Sequence, residues 1–263
     1  MSLVIALPTA DGLVVAADSR STLPNGQYID TAFKIIEPGL PLRTVLSVTG
    51  TAVGVAPPAA PCDDLREYLK NAPRIFDLSE DAKVWLGRQS SETLTESATR
   101  ALSDFCCSRV LTQGWIINRF LGKEVCVVFI GSYLPSVKAS LLASFKISIS
   151  ETATPFVSFF SWEEIGQDEK RVALPYGASD YLYKHVLPQG PGLLKSFQGF
   201  RERGDRSIRD ISAIEATEYA TDVINAVSKR MEELPHEYLV GGPVDIVLLG
   251  QEERPVRVKW KSP

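Results

Sequence analysis

Residues 3–17 read Leu-Val-Ile-Ala-Leu-Pro-Thr-Ala-Asp-Gly-Leu-Val-Val-Ala-Ala, two short apolar runs interrupted by Pro-Thr-Ala-Asp-Gly. Two β-rich runs around a tight Asp-Gly turn predict a hairpin with strands over 2–8 and 12–17. Chain termini are ordinarily frayed, so a strand that begins at the second residue ties down the start of the chain. The hairpin also has a consequence for neighbours. Asp18 closes the second strand, and so lies alongside the strand that starts at Ser2.

The remaining pattern decides the fold class. Short strands are expected at 33–36 and at 43–49, the latter ended by Gly50. The stretch Gly-Val-Ala-Pro-Pro-Ala-Ala-Pro at 54–61 is too rich in proline for regular structure. A short helix is expected over 63–72 and a long one over 79–111, with Ser79 and Asp81 near its start. A second sheet is expected from strands at 124–130, 138–148, 154–160 and 171–174. Helical signals return at 179–187 and 212–233, with a charged loop at 199–210. Strands at 244–249 and 256–260 end the chain. The order is strands, helices, strands, helices, strands, without strict βαβα alternation. That favours an α+β fold of two antiparallel sheets with helices outside over a doubly wound parallel sheet.

Charge and composition narrow the function classes. The formal net charge of −4 supplies no basic excess for nucleic acid or an anionic membrane surface. No apolar run reaches the ~18 residues that span a bilayer. The first apolar stretch lacks a charged leader and is interrupted by Asp11 and Asp18, which makes a poor signal peptide and points to the cytoplasm. Cys62, Cys106, Cys107 and Cys126 have no metal-ligand spacing and are expected as reduced thiols. No cofactor or metal is implied.

Ser2 is the chemically suggestive residue. Removal of Met1 would leave a hydroxyl and an α-amine on one carbon. An α-amine titrates at roughly 7.7–8.0, close to the pH at which a general base works best. A hydroxyl paired with an N-terminal amine is a known form of activated nucleophile and needs no histidine. It does need a cation to favour the alkoxide, a carboxylate to hold that cation, and an N–H donor for the oxyanion. Lys34, Asp18 and Gly50 are candidates for those three tasks. Taken singly, each is ordinary: a lysine in a short strand is commonly an edge gatekeeper, and a glycine after a strand is commonly a turn. Their joint order is what carries weight.

Ser2, Asp11-Gly12, Ala16-Ala17-Asp18-Ser19-Arg20, Lys34 and Val48-Thr49-Gly50-Thr51-Ala52 together resemble the N-terminal half of proteasome β-type subunits, including bacterial homologues. These are N-terminal nucleophile (Ntn) hydrolases. Counted from Ser2, Asp18 and Lys34 fall in register with the family's catalytic aspartate and lysine. Ser2 stands where threonine is usual, and Gly50 matches the oxyanion-hole glycine after a slightly longer connection. Arg20 matches the arginine that follows the aspartate, and Thr22 a threonine whose backbone binds extended substrate. The resemblance further implies pocket walls at Ser21, Ala32, Ile36, Val48 and Ala52, small and uncharged, suited to apolar side chains.

The likeness continues more weakly toward the C-terminus. Tyr176-Gly177-Ala178-Ser179 resembles the turn that opens a central helix, and Gly241-Gly242-Pro243-Val244 the turn into a late strand. It departs from the family at two positions that help place the N-terminal amine, here Glu237 and Val240. Ser179 and Glu237 complete the implied catalytic set. The implied architecture is a single domain over 1–263, a four-layer αββα sandwich, with 54–61 as an insertion. The implied activity is threonine-type endopeptidase chemistry on peptides or unfolded proteins. The implied assembly is a homo-oligomeric ring, often served by an unfolding ATPase. Two alternatives stand beside it: a non-catalytic structural subunit, favoured by Val240 or a retained Met1, and a small-molecule amidase on the same fold.

Overall fold

A computed structural model describes residues 2–22, 28–29, 32, 34–39, 42–55, 68, 72, 74–89, 94–169, 174–177, 207–233, 240–251 and 255–259. The first strands, β1 (Leu3–Thr9) and β2 (Gly12–Ala17), form the expected hairpin, with Val4 opposite Ala17 and Thr9 opposite Gly12. The register moves the turn by one residue from the expected Asp-Gly. Ala10 and Asp11 make the connection, and Gly12 opens β2. Gly12 has a steric reason to lack a side chain, since a Cβ there would stand 2.0 Å from the Leu249 carbonyl oxygen.

Short pairs follow at β3 (Ser21–Thr22) with β4 (Tyr28–Ile29). Next come β5 (Thr44–Gly50), then β6 (Val53–Val55) paired with β7 (Arg74–Asp77). Helices α1 (Leu78–Gly87), α2 (Glu96–Leu111) and α3 (Gly114–Arg119) lead to the long strands β8 (Glu124–Leu134), β9 (Ala139–Ile149) and β10 (Pro155–Ile165). The chain ends on β11 (Leu174–Gly177), α4 (Ala213–Glu232), β12 (Asp245–Leu249) and β13 (Val256–Lys259).

Two antiparallel sheets carry this mixed α+β fold. The first has the order β11-β1-β2-β12-β13 and the second β10-β9-β8-β5. The grouping expected along the chain is therefore wrong at two strands. The strand near 171–174 appears as β11, which pairs with β1 in the first sheet. Strand β5 leaves the N-terminal group and pairs with β8 in the second.

Apolar clusters account for the unbroken apolar runs of the hairpin. Leu3, Ile5, Leu7, Val14 and Ala16 pack with Ala216, Tyr219, Val223 and Val227 of α4. The alternate residues Val4, Ala6, Leu13, Val15 and Ala17 pack with Val45, Phe129 and Leu142 of the second sheet. Strands buried on both faces lose the apolar–polar alternation of a half-solvated sheet. The opposite face of the second sheet, with Leu46, Val128, Leu141 and Phe145, packs against Leu78, Leu86, Leu102 and Cys106 of α1 and α2.

The helix expected over 79–111 is interrupted. Asp77 caps α1 by accepting from the Glu80 amide, and Thr95 caps α2 by accepting from the Ala98 amide. Ser and Thr compete with helix hydrogen bonds through their own hydroxyls, and the Thr95 hydroxyl serves here as a cap that starts a new helix. The helix expected at 212–233 is present as α4, opened by a Ser212/Glu215 capping box. Of the helix expected over 63–72 only Tyr68 and Ala72 are described, Tyr68 in helical conformation with the Ala72 amide donating to its carbonyl at 2.7 Å. The helix expected at 179–187 lies outside the described residues, as does most of 54–61. Among the described residues no helix is long and apolar enough to cross a membrane.

Cys106, Cys107 and Cys126 are free thiols. Burial pushes the Cys106 and Cys126 thiols well up, with neighbouring thiols adding to it, and burial pushes Cys107 up to about 11. Because the thiolate is the nucleophile, iodoacetamide at pH 8 is expected to leave all three unmodified in the native protein and to alkylate them in denaturant. Peptide mapping reads this directly. Rapid native labelling of Cys106 or Cys126 would contradict the burial.

Candidate functional site

The turn after β2 gathers the candidate site. Asp18 is fully buried and its two carboxylate oxygens accept from three backbone amides. Oδ1 takes the Leu3 N–H at 3.0 Å; Oδ2 takes the Arg20 N–H and the Gly241 N–H, each at 3.1 Å. The Lys34 ammonium stands 2.9 Å from the same Oδ2 and also donates to the Arg20 carbonyl oxygen. Lys34 itself is buried, so this is an ion pair removed from water. Such a cation is costly unless paired, and the pairing fixes its place.

Ser2 is buried as well and sits one residue before the amide bonded to Asp18. The Asp18 amide in turn donates to the Leu3 carbonyl at 3.3 Å. The beginning of the chain is thereby held against the carboxylate that holds the lysine. These bonds join Lys34 to Asp18 and Asp18 to the Leu3 amide, the group that follows Ser2 in the chain.

The segment that carries Lys34 is not the strand expected at 33–36. Its regular contact is one bridge, in which Ile36 and Leu46 exchange both amide bonds at 2.8 Å. On the other side, the Ala32 amide donates to the Ser19 carbonyl at 3.1 Å. The lysine thus enters between the turn after β2 and the strand β5.

The Gly241-Gly242 turn completes the enclosure. The Ser19 amide donates to the Gly241 carbonyl at 3.1 Å, and the Ser19 hydroxyl to the Pro243 carbonyl at 2.6 Å. A Cβ on Gly241 would lie 2.5 Å from Cζ of Arg20, whose side chain is buried. Any side chain there would have to displace the Arg20 guanidinium. Sequence reasoning noticed the Gly-Gly turn but missed its work as a donor to Asp18. Backbone N–H groups carry no residue signature, and only the close approach of Arg20 marks the position.

Gly50 ends β5 with φ +92°, a conformation that glycine adopts without strain. A Cβ there would stand 2.6 Å from the Val125 carbonyl oxygen. Gly50→Ala is expected to destabilise the protein by about 1–3 kcal/mol through strain. At roughly 2–4 °C per kcal/mol for chains of this size, that lowers Tm by about 2–12 °C. Calorimetry checks it; an unchanged Tm would contradict the assigned backbone.

The expected pocket walls are distributed over several elements. Ser21 begins β3 and is half-buried, with Thr22 following it in the strand. Ala32 and Ile36 flank Lys34 and are half-buried. Val48 is buried in β5 and packs within the helix-side cluster, against which Ala52 also rests. Val240 is fully buried in the cluster shared by Leu3, Ile5 and α4, which agrees with its having no hydrogen-bonding side chain. Ser179 and Glu237 lie outside the described residues. Among the described residues no group of three or more His, Cys, Asp or Glu is placed to hold a metal ion. Comparison with protein-family models and with curated proteins gives no match to the chain.

Proposed function

We propose that the chain is a proteasome-like Ntn hydrolase that cleaves peptide bonds with Ser2, once Met1 has been removed. One observation carries the reading. The buried Asp18–Lys34 pair is bonded to the first residues of the chain, through the Leu3 amide on Asp18 Oδ1. A structural ion pair could stand anywhere in a core; this one stands beside the residue that processing would turn into an amine and a hydroxyl. The helix–sheet–sheet–helix order of the apolar clusters supports the same fold family, a four-layer αββα sandwich.

The chemistry follows from the groups present. Ser2 Oγ attacks the scissile carbonyl carbon, and its proton passes to the α-amine, directly or through a water. The Lys34 ammonium stabilises the alkoxide, and the Gly50 N–H takes the oxyanion. The tetrahedral intermediate collapses to an ester on Ser2 while the leaving amine takes the proton. Water then cleaves the ester and restores the serine. Asp18 does not act as base here. Four donors already occupy its oxygens, so its task is to hold Lys34 and the chain start in one geometry. The substrates are peptides or unfolded proteins with apolar side chains before the cut bond. The working form is a homo-oligomeric ring in the cytoplasm, served by an unfolding ATPase.

Turnover of N-blocked fluorogenic peptides tests this. Cleavage after leucine or phenylalanine, faster than after lysine or glutamate, is the expected result. Cleavage only of small acyl amides would move the assignment to an amidase on the same fold. Val240 favours a second reading, a structural subunit without catalysis, because its buried side chain offers no hydrogen bond to the amine. Processed protein inert toward every peptide and amide would support that reading instead.

A further inference from the structure

We infer that Arg257, on the last strand, is a positioning residue for Lys34; this role rests on the peptidase reading above. The lysine is carried by a backbone that is not a strand. Segment 34–36 has one bridge, Ile36 with Leu46 of the second sheet. An irregular segment of buried backbone needs other donors to fix its peptide groups. Arg257 supplies one from the opposite side. Its Nη2 donates to the Ile35 carbonyl oxygen at 3.0 Å, next to the residue that bears the ammonium.

The guanidinium is itself anchored at its other two nitrogens. Nη1 donates to both oxygens of Asp245, at 3.0 and 2.8 Å, and Nε stands 3.3 Å from Oε1 of Glu37. Asp245 is buried and begins β12, which pairs with β2 directly opposite Ala17. A chain of contacts therefore runs from Ala17, one residue before Asp18, through Asp245 and Arg257 to Ile35, one residue after Lys34. Both members of the catalytic ion pair are referred to the same two strands. The Ile36–Leu46 bridge holds the segment to the second sheet, and Arg257 holds it to the first. With both in place, the direction of the Lys34 side chain is set before substrate arrives.

Only a planar fork with three nitrogens reaches three acceptors at once; a lysine ammonium is a point charge on a flexible stem. Arg257→Met is expected to lower kcat for a leucine-ending fluorogenic peptide by about 10–100-fold, the cost of ~1 Å of misplacement in a catalytic group. KM should stay within about twofold, because the contact acts on the reacting centre and not on substrate binding. Arg257→Lys is expected to recover only part of the loss. Arg257→Met strands the buried Asp245 carboxylate, so the double variant Arg257→Met with Asp245→Asn serves as the folded control. It should melt near wild type and keep the kcat deficit, since the Ile35 carbonyl remains unheld. A folded double variant with wild-type kcat, or a loss confined to KM, overturns the positioning role alone. A wild-type protein with no Ser2-dependent turnover overturns the peptidase reading and this role with it.

Discussion

Asp18→Asn is expected to be the most destabilising single substitution at the site. The asparagine keeps one oxygen and turns an NH2 toward groups that are themselves donors. If the amide nitrogen replaces Oδ2, it faces the Arg20 amide, the Gly241 amide and the Lys34 ammonium. If it replaces Oδ1, it faces the Leu3 amide and the lysine still loses its counter-charge. Breaking a buried pair from one side leaves a charge uncompensated and costs about 3–5 kcal/mol. Against a total stability of roughly 5–15 kcal/mol this is a large fraction. At about 2–4 °C per kcal/mol the melting temperature falls by about 6–20 °C. Thermal unfolding of Asp18→Asn beside Asp18→Glu separates charge from geometry. A wild-type melting curve for Asp18→Asn would mean that the carboxylate is not the hub described.

The second large effect is chemical. Ser2→Ala removes one hydroxyl from a buried residue and leaves the Leu3–Asp18 bond in place. The fold should be nearly unchanged, with Tm within a few degrees. Peptide hydrolysis should fall on the order of 10³-fold or more, because nucleophile, base and orienting pair act as a unit. Ser2→Thr is expected to retain turnover, since it keeps the hydroxyl and the amine, and β-branching stiffens χ1. Equal activity in Ser2→Ala and wild type would place the nucleophile elsewhere.

What could be read from the sequence divides along physical lines. The hairpin was legible because Leu3–Leu7 and Leu13–Ala17 are continuous apolar runs around one turn. The order of elements gave the class of fold, since antiparallel sheets need no βαβ alternation. The spacing of Ser2, Asp18 and Lys34 was legible through resemblance, and the bonds at Asp18 join Lys34 to the Leu3 amide, one residue after Ser2. Sheet membership was not legible. Strands β5 and β11 exchange sheets relative to their neighbours along the chain, a choice made by long-range pairing that leaves no local mark. The hydrogen-bond donors to Asp18 were missed because they are main-chain groups of Leu3, Arg20 and Gly241. Lys34 read as part of a strand because Phe33, Ile35 and Ile36 are apolar. Ile35 is apolar because it fills the space between the sheets, and among the described residues around it the backbone makes one bridge.

The central claim is that the residue after Met1 becomes a free, reactive terminus. Intact-mass spectrometry of protein purified from its native source, before and after treatment with an electrophilic peptide, measures this directly. The account expects a chain that begins at Ser2 and gains one adduct, with no adduct in Ser2→Ala. A chain that still carries a residue ahead of Ser2, or an adduct that survives Ser2→Ala, would contradict it.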